Sequence, residues 1–349
     1  MKPVDQHLFQ PQQSWSARAR SKWRRLYQAH HTSSILIFAP WLWLVNIVQA
    51  IVIAVWIYLD GRISISTPGL PLLLASLFSC VIATALICRI EQREGSINVI
   101  LARLRIGFIG VIFLTTAFTG IRFLNHLSMS LSFPLADDTL DALDRILGLD
   151  WHAYALWLGE HREAQWWIMS AYYFTTRSAA ITFLLLVLIG RQDRAVEFGS
   201  LLFIGAAIAI TVGALLPAEA AMVRNMDATL VELFGHEAGV YHMNQLTALR
   251  SNVPISMNFT ELAGLATFPS YHTIAGLTLV YAWRYSLAGL MIASVWAVAM
   301  LLATPIYGGH YFIDVIAGFA VTAILITFNE LIKRRASSRL AGIADSSAL

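Results

Sequence analysis

The chain has 349 residues, of which 57% are hydrophobic and 13% are charged, with a net charge of +3. A soluble protein of this size carries about a quarter charged residues, so the composition excludes a soluble enzyme and predicts no nucleic-acid partner. We expect an all-α fold, a polytopic bundle of membrane helices. Cys80 and Cys88 lie in one apolar segment, which argues against a disulfide framework or a thiolate metal site.

Apolar runs predict about eight transmembrane helices, because most runs approach the ~20 residues needed to cross a bilayer. The runs are 34–59, 69–88, 106–124, 166–190, 198–216, 270–283, 286–307 and 311–332. The sixth has only 14 residues before Arg284. We expect it either to begin below the bilayer surface or to turn nearer Gly289.

The placement of arginine and lysine predicts the orientation. Basic residues are dense in the N-terminal segment 1–33, in the tail 333–349 and in the short loops on the same side, whereas the longer loops 125–165 and 217–268 carry fewer. Both termini are therefore expected in the cytoplasm, with one helix bundle over 34–332. We expect a bacterial inner membrane, with the long loops facing the periplasm or exterior.

The outer side is also rich in histidine and tryptophan. In the first outer loop, Asp137 or Asp138 is expected to cap a short helix that lies in the headgroup layer. Histidines without a spaced partner are interpreted as solvated surface residues, and these are His126, His152, His161, His236 and His242. An interfacial aromatic belt is predicted for Trp151, Trp157, Trp166 and Trp167.

Two groups of residues near the C-terminal end indicate chemistry. They are Pro269, Ser270 and His272, and then Gly309, His310, Tyr311 and Asp314. The two histidines are separated by 37 residues, enough for one helix down through a bilayer and another back. Both imidazoles are therefore predicted on one side of the membrane, each at the start of an apolar helix.

These residue types suit the binding and transfer of a phosphate. Backbone amides at a helix N-terminus bind anions, and Pro269 is suited to the first turn of such a helix. Asp314 follows His310 by one helical turn and shares its face. A carboxylate there fixes the imidazole tautomer and leaves the other nitrogen nucleophilic.

The predicted roles follow from this geometry. His310 attacks phosphorus and becomes a phosphohistidine, Asp314 orients it, and His272 is the general acid and then the general base. Phosphoryl oxygens are expected to bind Ser270, Tyr271 and Gly309 with the local backbone amides.

Two other interpretations use the same residues. A single histidine near a helix end is commonly an interfacial residue, but two histidines and a carboxylate with matched sidedness are costly to place in a membrane without a function. Two histidines and a carboxylate also bind zinc or iron. Ser270 and the glycines favour phosphate, so no metal and no cofactor is expected.

The same motifs resemble a known family. Phe268-Pro269-Ser270-Tyr271-His272-Thr273 is similar to the PSxH signature of the type 2 phosphatidic acid phosphatase superfamily, and Gly309 to Val315 is similar to its closing motif, with histidine four positions before aspartate. The resemblance implies a phosphatidic-acid-phosphatase-like core, about 165–332, and the three catalytic roles given above.

The chain departs from the phosphatase pattern in its cationic motifs. It has no Arg-Pro pair, and Ala303 and Thr304 occupy the positions of the Ser-Arg pair before the nucleophile. It therefore looks more like the inositol phosphorylceramide synthase (aureobasidin-resistance) branch, whose members relax these motifs. A phosphodiester donor carries one charge rather than nearly two, so fewer cationic groups suffice.

Three arginines are candidates to replace the missing cations. Arg250 precedes the Pro269 motif in the second outer loop and is the first choice. Arg122 ends the third predicted span, and Arg177 lies inside the fourth, where an arginine is costly enough to suggest a function.

Three functions remain open from the sequence. The favoured one is a lipid phosphotransferase that moves a phosphate-bearing headgroup from a phospholipid onto a lipid alcohol acceptor. The second is a phosphatase for lipid phosphates or pyrophosphates. The third is a transporter or membrane scaffold without enzymatic activity, against which the clustering of ionisable residues at one surface argues.

Overall fold

The computed structural model describes residues 38–94, 98–235, 238–251, 253–258 and 261–346. Within these ranges the chain forms fourteen helices and one two-stranded sheet. The predicted all-α class and membrane helix bundle are confirmed. The basic segment 1–33 lies outside the described residues.

The helices follow one another closely along the chain. The first half contains α1 (Pro40–Asp60), α2 (Leu70–Glu94), α3 (Val99–Met129), α4 (Asp137–Ile146), α5 (Trp151–Glu160), α6 (Arg162–Tyr173) and α7 (Thr175–Leu188). The second half contains α8 (Gln192–Leu215), α9 (Ala221–Asn225), α10 (Ala228–Phe234), α11 (Met243–Arg250), α12 (Tyr271–Ala282), α13 (Leu287–Tyr307) and α14 (Phe312–Ser346).

Six of the described helices are long and apolar enough to cross a membrane: α1, α2, α3, α8, α13 and α14. The fourth predicted span is a broken one, because α6 and α7 meet at a bend of 57°. The sixth predicted span is α12, which has 12 residues and is shorter than a full crossing. The chain is therefore a multi-pass membrane protein in which α12 begins within the bundle.

Several helix starts follow from short polar side chains. Asn98, Asp150 and Ser286 accept hydrogen bonds from backbone amides in the first turns of α3, α5 and α13, as N-cap residues do. The short helix predicted in the first outer loop is present as α4, but the predicted cap was wrong. Its N-cap is Ala136, which makes no side-chain cap bond, because the carboxylate of Asp137 is bonded elsewhere.

The buried side chains form two main clusters that matter for the candidate site. The bundle core joins α1, α3, α7 and α8 through Leu42, Phe113, Phe183 and Phe203, and Phe38 packs into it from just before α1. A second cluster, the outer core, packs the short outer helices against the turn between α13 and α14. Its members include Leu140, Trp151, Tyr172, Ile306 and Tyr311.

A short sheet links the two outer connections. Strand β1 (Ile63–Ser66) pairs in parallel with β2 (Ile255–Asn258). Arg62 adds a hydrogen bond to the carbonyl of Ser251 at 2.8 Å. The segment after α1 is thereby tied to the loop that leads into α12.

Charged side chains join α8, α12 and α14 at the ends far from the two histidines. Glu197 on α8 lies 2.9 Å from both Arg284 and Lys333. Arg284 lies two residues after the end of α12, and Lys333 lies on α14. These ion pairs therefore fasten the three helices together at the end of the bundle away from His272 and His310.

Candidate active site

His310 and Asp314 form a buried pair at the start of α14. Nδ1 of His310 lies 3.0 Å from Oδ2 of Asp314, and the Tyr311 amide donates to the same oxygen at 3.1 Å. His310 is 3% exposed and Asp314 is fully buried. With Nδ1 bound to the carboxylate, Nε2 is the nitrogen that is left to react.

The turn before this pair is held by close backbone contacts. Gly309 has φ +68°, and a Cβ there would lie 2.6 Å from the carbonyl oxygen of Gly239, so glycine is required. Its carbonyl accepts the Ala221 amide at 2.7 Å, while its own amide donates to Ile306 at 3.3 Å. The Gly309 amide is therefore already hydrogen-bonded. These contacts support a role for Gly309 in forming the turn rather than in binding phosphate.

His272 lies in the first turn of α12, next to two free amides. Ser270 is the N-cap, and its hydroxyl accepts the Thr273 amide at 3.4 Å. The Ser270 amide was also expected to be free, but it donates to the carbonyl of Asp314 at 3.0 Å. Among the described residues, the amides of Tyr271 and His272 have no partner, so the N-terminus of this helix has the open amides to which an anion can bind.

The two histidines face each other across a short gap. Their ring centroids are 6.0 Å apart with an interplanar angle of 73°. His310 is buried whereas His272 is partly exposed, so the gap opens on the His272 side. The three residues predicted to carry the chemistry therefore lie in one place.

Two carboxylates that the sequence analysis did not assign to the site, Asp144 and Asp137, hold these residues in position. Asp144 on α4 accepts the amides of Phe312 and Ile313 at 2.8 and 2.7 Å, so it occupies the N-terminus of α14. Asp137 accepts the Tyr311 hydroxyl at 2.8 Å and the Glu219 amide at 2.9 Å. The expectation that both helix N-termini face a phosphate is therefore corrected, because only that of α12 is open.

Removal of the Asp144 carboxylate should destabilise the start of α14. We expect Asp144→Ala to lower the free energy of unfolding by about 1–2 kcal/mol, as loss of a helix cap does, and to lower turnover as well. Thermal unfolding in detergent measures the first effect. Asp138→Ala is the matched control, because Asp138 lies on the same helix in an exposed ion pair with Arg224 that is worth less than ~1 kcal/mol. Equal melting temperatures for the two variants would contradict the assignment.

In the described ranges, no hydrogen bond, ion pair or ring contact joins the three candidate arginines to His272 or His310. Arg250 donates to the carbonyl of Phe133 at 2.9 Å, and Arg122 donates to that of Leu262 at 3.1 Å. Arg177 is exposed near the start of α7. The phosphate-binding roles predicted for them have no support from these contacts.

The outer aromatic and histidine residues also differ from expectation. Trp151 is 4% exposed, and its indole donates to the His310 carbonyl at 3.1 Å, so it supports the site rather than an interfacial belt. His126 and His242 are buried and bonded to Gln245 and Glu219, which corrects their description as solvated. His236 lies outside the described residues.

Burial sets the protonation of His310 and His242. It lowers the pKa of His310 to about 4, and a backbone hydrogen bond to Thr267 opposes this shift. His310 lies between α13 and α14 and is therefore neutral at pH 7, with an unprotonated nitrogen. Burial also lowers the pKa of His242 in the second outer loop.

This arrangement has a clear chemical capacity. A neutral imidazole oriented by a carboxylate is a nucleophile, and a second imidazole within reach of the same atom can move a proton. Two free amides beside them can bind an anion. A phosphoryl group placed between the rings would meet all three.

The chain was compared with known proteins. No curated protein and no solved structure gives a match, whereas a family model described as the PAP2 superfamily matches residues 138–328. The matched region covers more than half of the chain and includes α12, α13, His272, His310 and Asp314. The chain belongs to the PAP2 superfamily, the type 2 phosphatidic acid phosphatases and related transferases, and its function is of the lipid phosphatase or phosphotransferase type.

Proposed function

We propose that this protein is a lipid phosphotransferase like the inositol phosphorylceramide synthases, which moves a phosphate-bearing headgroup from a phospholipid onto a lipid alcohol. The observation that carries the proposal is the pairing of His310, bound to Asp314, with His272 at a centroid distance of 6.0 Å. Reacting atoms in productive complexes lie about 3–3.5 Å apart. One ring can therefore reach the phosphorus atom of a phosphodiester while the other reaches the leaving oxygen.

The reaction proceeds in two balanced steps. Nε2 of His310 attacks phosphorus, the bond from phosphorus to the diacylglycerol oxygen breaks, and His272 gives that oxygen a proton. The headgroup phosphate then remains on His310. In the second step the acceptor alcohol loses its proton to His272 and attacks phosphorus, and the bond from phosphorus to nitrogen breaks.

Asp314 and the phosphate supply the charges that the steps require. The carboxylate stabilises the imidazolium character that His310 gains on attack, as in other imidazole–carboxylate pairs. The negative phosphate is the countercharge that a protonated His272 needs in a largely buried site. The amides of Tyr271 and His272 would hold the non-bridging oxygens, with Ser270 fixing the turn that presents them.

The absence of a cationic contact to either histidine in the described part of the chain supports a singly charged donor. Hydrogen bonds that involve a charged group are roughly twice as strong as neutral ones. A doubly charged monoester would lose more from the lack of such partners than a diester. This supports transfer from a phospholipid over hydrolysis of a lipid monophosphate.

The proposal includes the orientation of the protein in the membrane that the basic residues predict. With both termini in the cytoplasm, His272 and His310 face the periplasm or exterior of a bacterial cell. The bundle 34–332 then carries the core at about 165–332, with the loops 125–165 and 217–268 over the site.

A transfer assay with purified protein tests the proposal. Phospholipid labelled in its headgroup phosphate should pass the label to a lipid alcohol such as ceramide or diacylglycerol, and little label should be released without alcohol. Equal release with and without an alcohol would instead identify a phosphatase. Added EDTA should leave the rate unchanged, whereas a reversible loss would point to a metal site. No turnover of any phospholipid, lipid monophosphate or lipid pyrophosphate would favour a transporter or scaffold.

A further inference from the structure

Tyr172 is a buried aromatic residue that contacts the candidate acid–base histidine. It lies in the last turn of α6 and is 5% exposed. Its ring is stacked on that of His272, with a centroid distance of 4.3 Å and an interplanar angle of 26°. Such a contact restricts rotation of the His272 imidazole. The backbone amide of the same residue is one of the two open amides at the N-terminus of α12.

The hydroxyl of Tyr172 lies near Gly308, the residue two positions before the other histidine. A Cβ added to Gly308 would lie 2.9 Å from this hydroxyl and 2.7 Å from Cδ2 of His310. The two atoms therefore flank the same point. Because Cδ2 is bonded to Nε2, the hydroxyl lies on the same side of Gly308 as the part of the His310 ring that carries the attacking nitrogen.

A second tyrosine can orient this hydroxyl. Tyr241 lies in the second outer loop just before α11, and its side chain neighbours that of Tyr172. A phenol hydroxyl can donate or accept. The Tyr172 hydroxyl can therefore turn its proton either to Tyr241 or to a ligand between the imidazoles.

We propose that Tyr172 is a substrate-binding residue of the transfer site, whose hydroxyl donates to a non-bridging oxygen of a singly charged phosphodiester while its ring positions His272. The proposal rests on the function proposed above and deepens it. A neutral phenol can bind a singly charged diester without the positive charge that a doubly charged monoester favours. This role is separate from those of the two histidines and Asp314, because Tyr172 exchanges no proton and forms no covalent bond.

Sulfur substitution in the substrate tests the hydroxyl directly. The probe is a lipid p-nitrophenyl phosphodiester and its two phosphorothioate stereoisomers, Rp and Sp, in detergent micelles. A donor that bonds to one non-bridging oxygen makes the two stereoisomers react at unequal rates. Tyr172→Phe should lower kcat for the oxygen diester about tenfold or more, the effect of losing a hydrogen bond to a charged group, and should bring the Rp and Sp rates closer together.

Further variants separate binding from packing. Tyr172→Leu removes the stacked ring as well, so it should be slower than Tyr172→Phe, and the phenylalanine variant therefore restores part of the activity. Tyr58→Phe is the matched control, because Tyr58 is an exposed tyrosine on α1, and it should keep the wild-type rate and stereoisomer ratio. Tyr241→Phe should bring the rates of the Rp and Sp stereoisomers closer together, but by less than Tyr172→Phe does.

The outcomes distinguish the two levels of the proposal. Wild-type turnover of the diester, together with an unchanged rate and stereoisomer ratio in Tyr172→Phe, would overturn the role of Tyr172 alone. No wild-type turnover of the diester would overturn the proposed function and this role together.

Discussion

His310→Ala should abolish transfer, with a loss of at least roughly 10⁴-fold in kcat, the scale seen when a catalytic nucleophile is removed. The expected size follows from the pairing with Asp314, which fixes one ring nitrogen and leaves the other free. Alanine removes the imidazole that we propose forms the bond to phosphorus.

The covalent intermediate gives a second measurement. Wild-type protein mixed with headgroup-labelled phospholipid and quenched in base should carry label that acid releases, as a phosphohistidine does, and His310→Ala should carry none. His152→Ala is the control, because His152 is a histidine of the outer side in an exposed pair with Asp227. Label retained by His310→Ala, or full turnover by it, would show that another residue is the nucleophile.

His272→Ala should lower kcat about 10²–10⁴-fold, the contribution of general acid–base catalysis, with a dependence on the leaving group. A diacylglycerol alkoxide needs a proton as it departs, whereas p-nitrophenolate does not. The loss should therefore be large for a phospholipid and small for formation of the intermediate from a p-nitrophenyl diester.

Rapid-mixing kinetics with the two donors checks this. A burst of p-nitrophenolate should survive in His272→Ala, followed by slow transfer to the alcohol, because the second step still lacks its general base. An equal loss with both donors in the first step would assign His272 to phosphate binding rather than proton transfer. Unfolding temperatures of wild type and variant should agree within a few degrees, since His272 is partly exposed.

The short outer helices matter to both predictions. Asp137 and Asp144 come from α4, and Trp151 comes from the start of α5, yet all three bond to residues 310–313 or their neighbours. The turn that carries His310 is thus held from outside the bundle by side chains far away in sequence. Substitutions in α4 are expected to act on turnover through the position of His310.

Composition and spacing were enough to predict the fold class and the central chemistry. The low charge content required lipid, and the runs of apolar residues marked the membrane helices, because a crossing helix must satisfy its backbone internally and present about 20 apolar residues. The separation of 37 residues placed His272 and His310 on one side, and the one-turn offset placed Asp314 beside His310. Both expectations rest on helix geometry, which is local.

Only the tertiary structure decided which polar groups are free. Free amides at the start of α14 were a fair expectation from sequence, but Asp144 binds them from a helix some 170 residues earlier. Arg250 and Arg122 looked like phosphate ligands, yet each donates to a distant carbonyl, and Trp151 and His126 looked like surface residues, yet both are buried. A buried hydrogen-bonding group must find a partner, and which partner it finds depends on contacts between segments that no local pattern encodes.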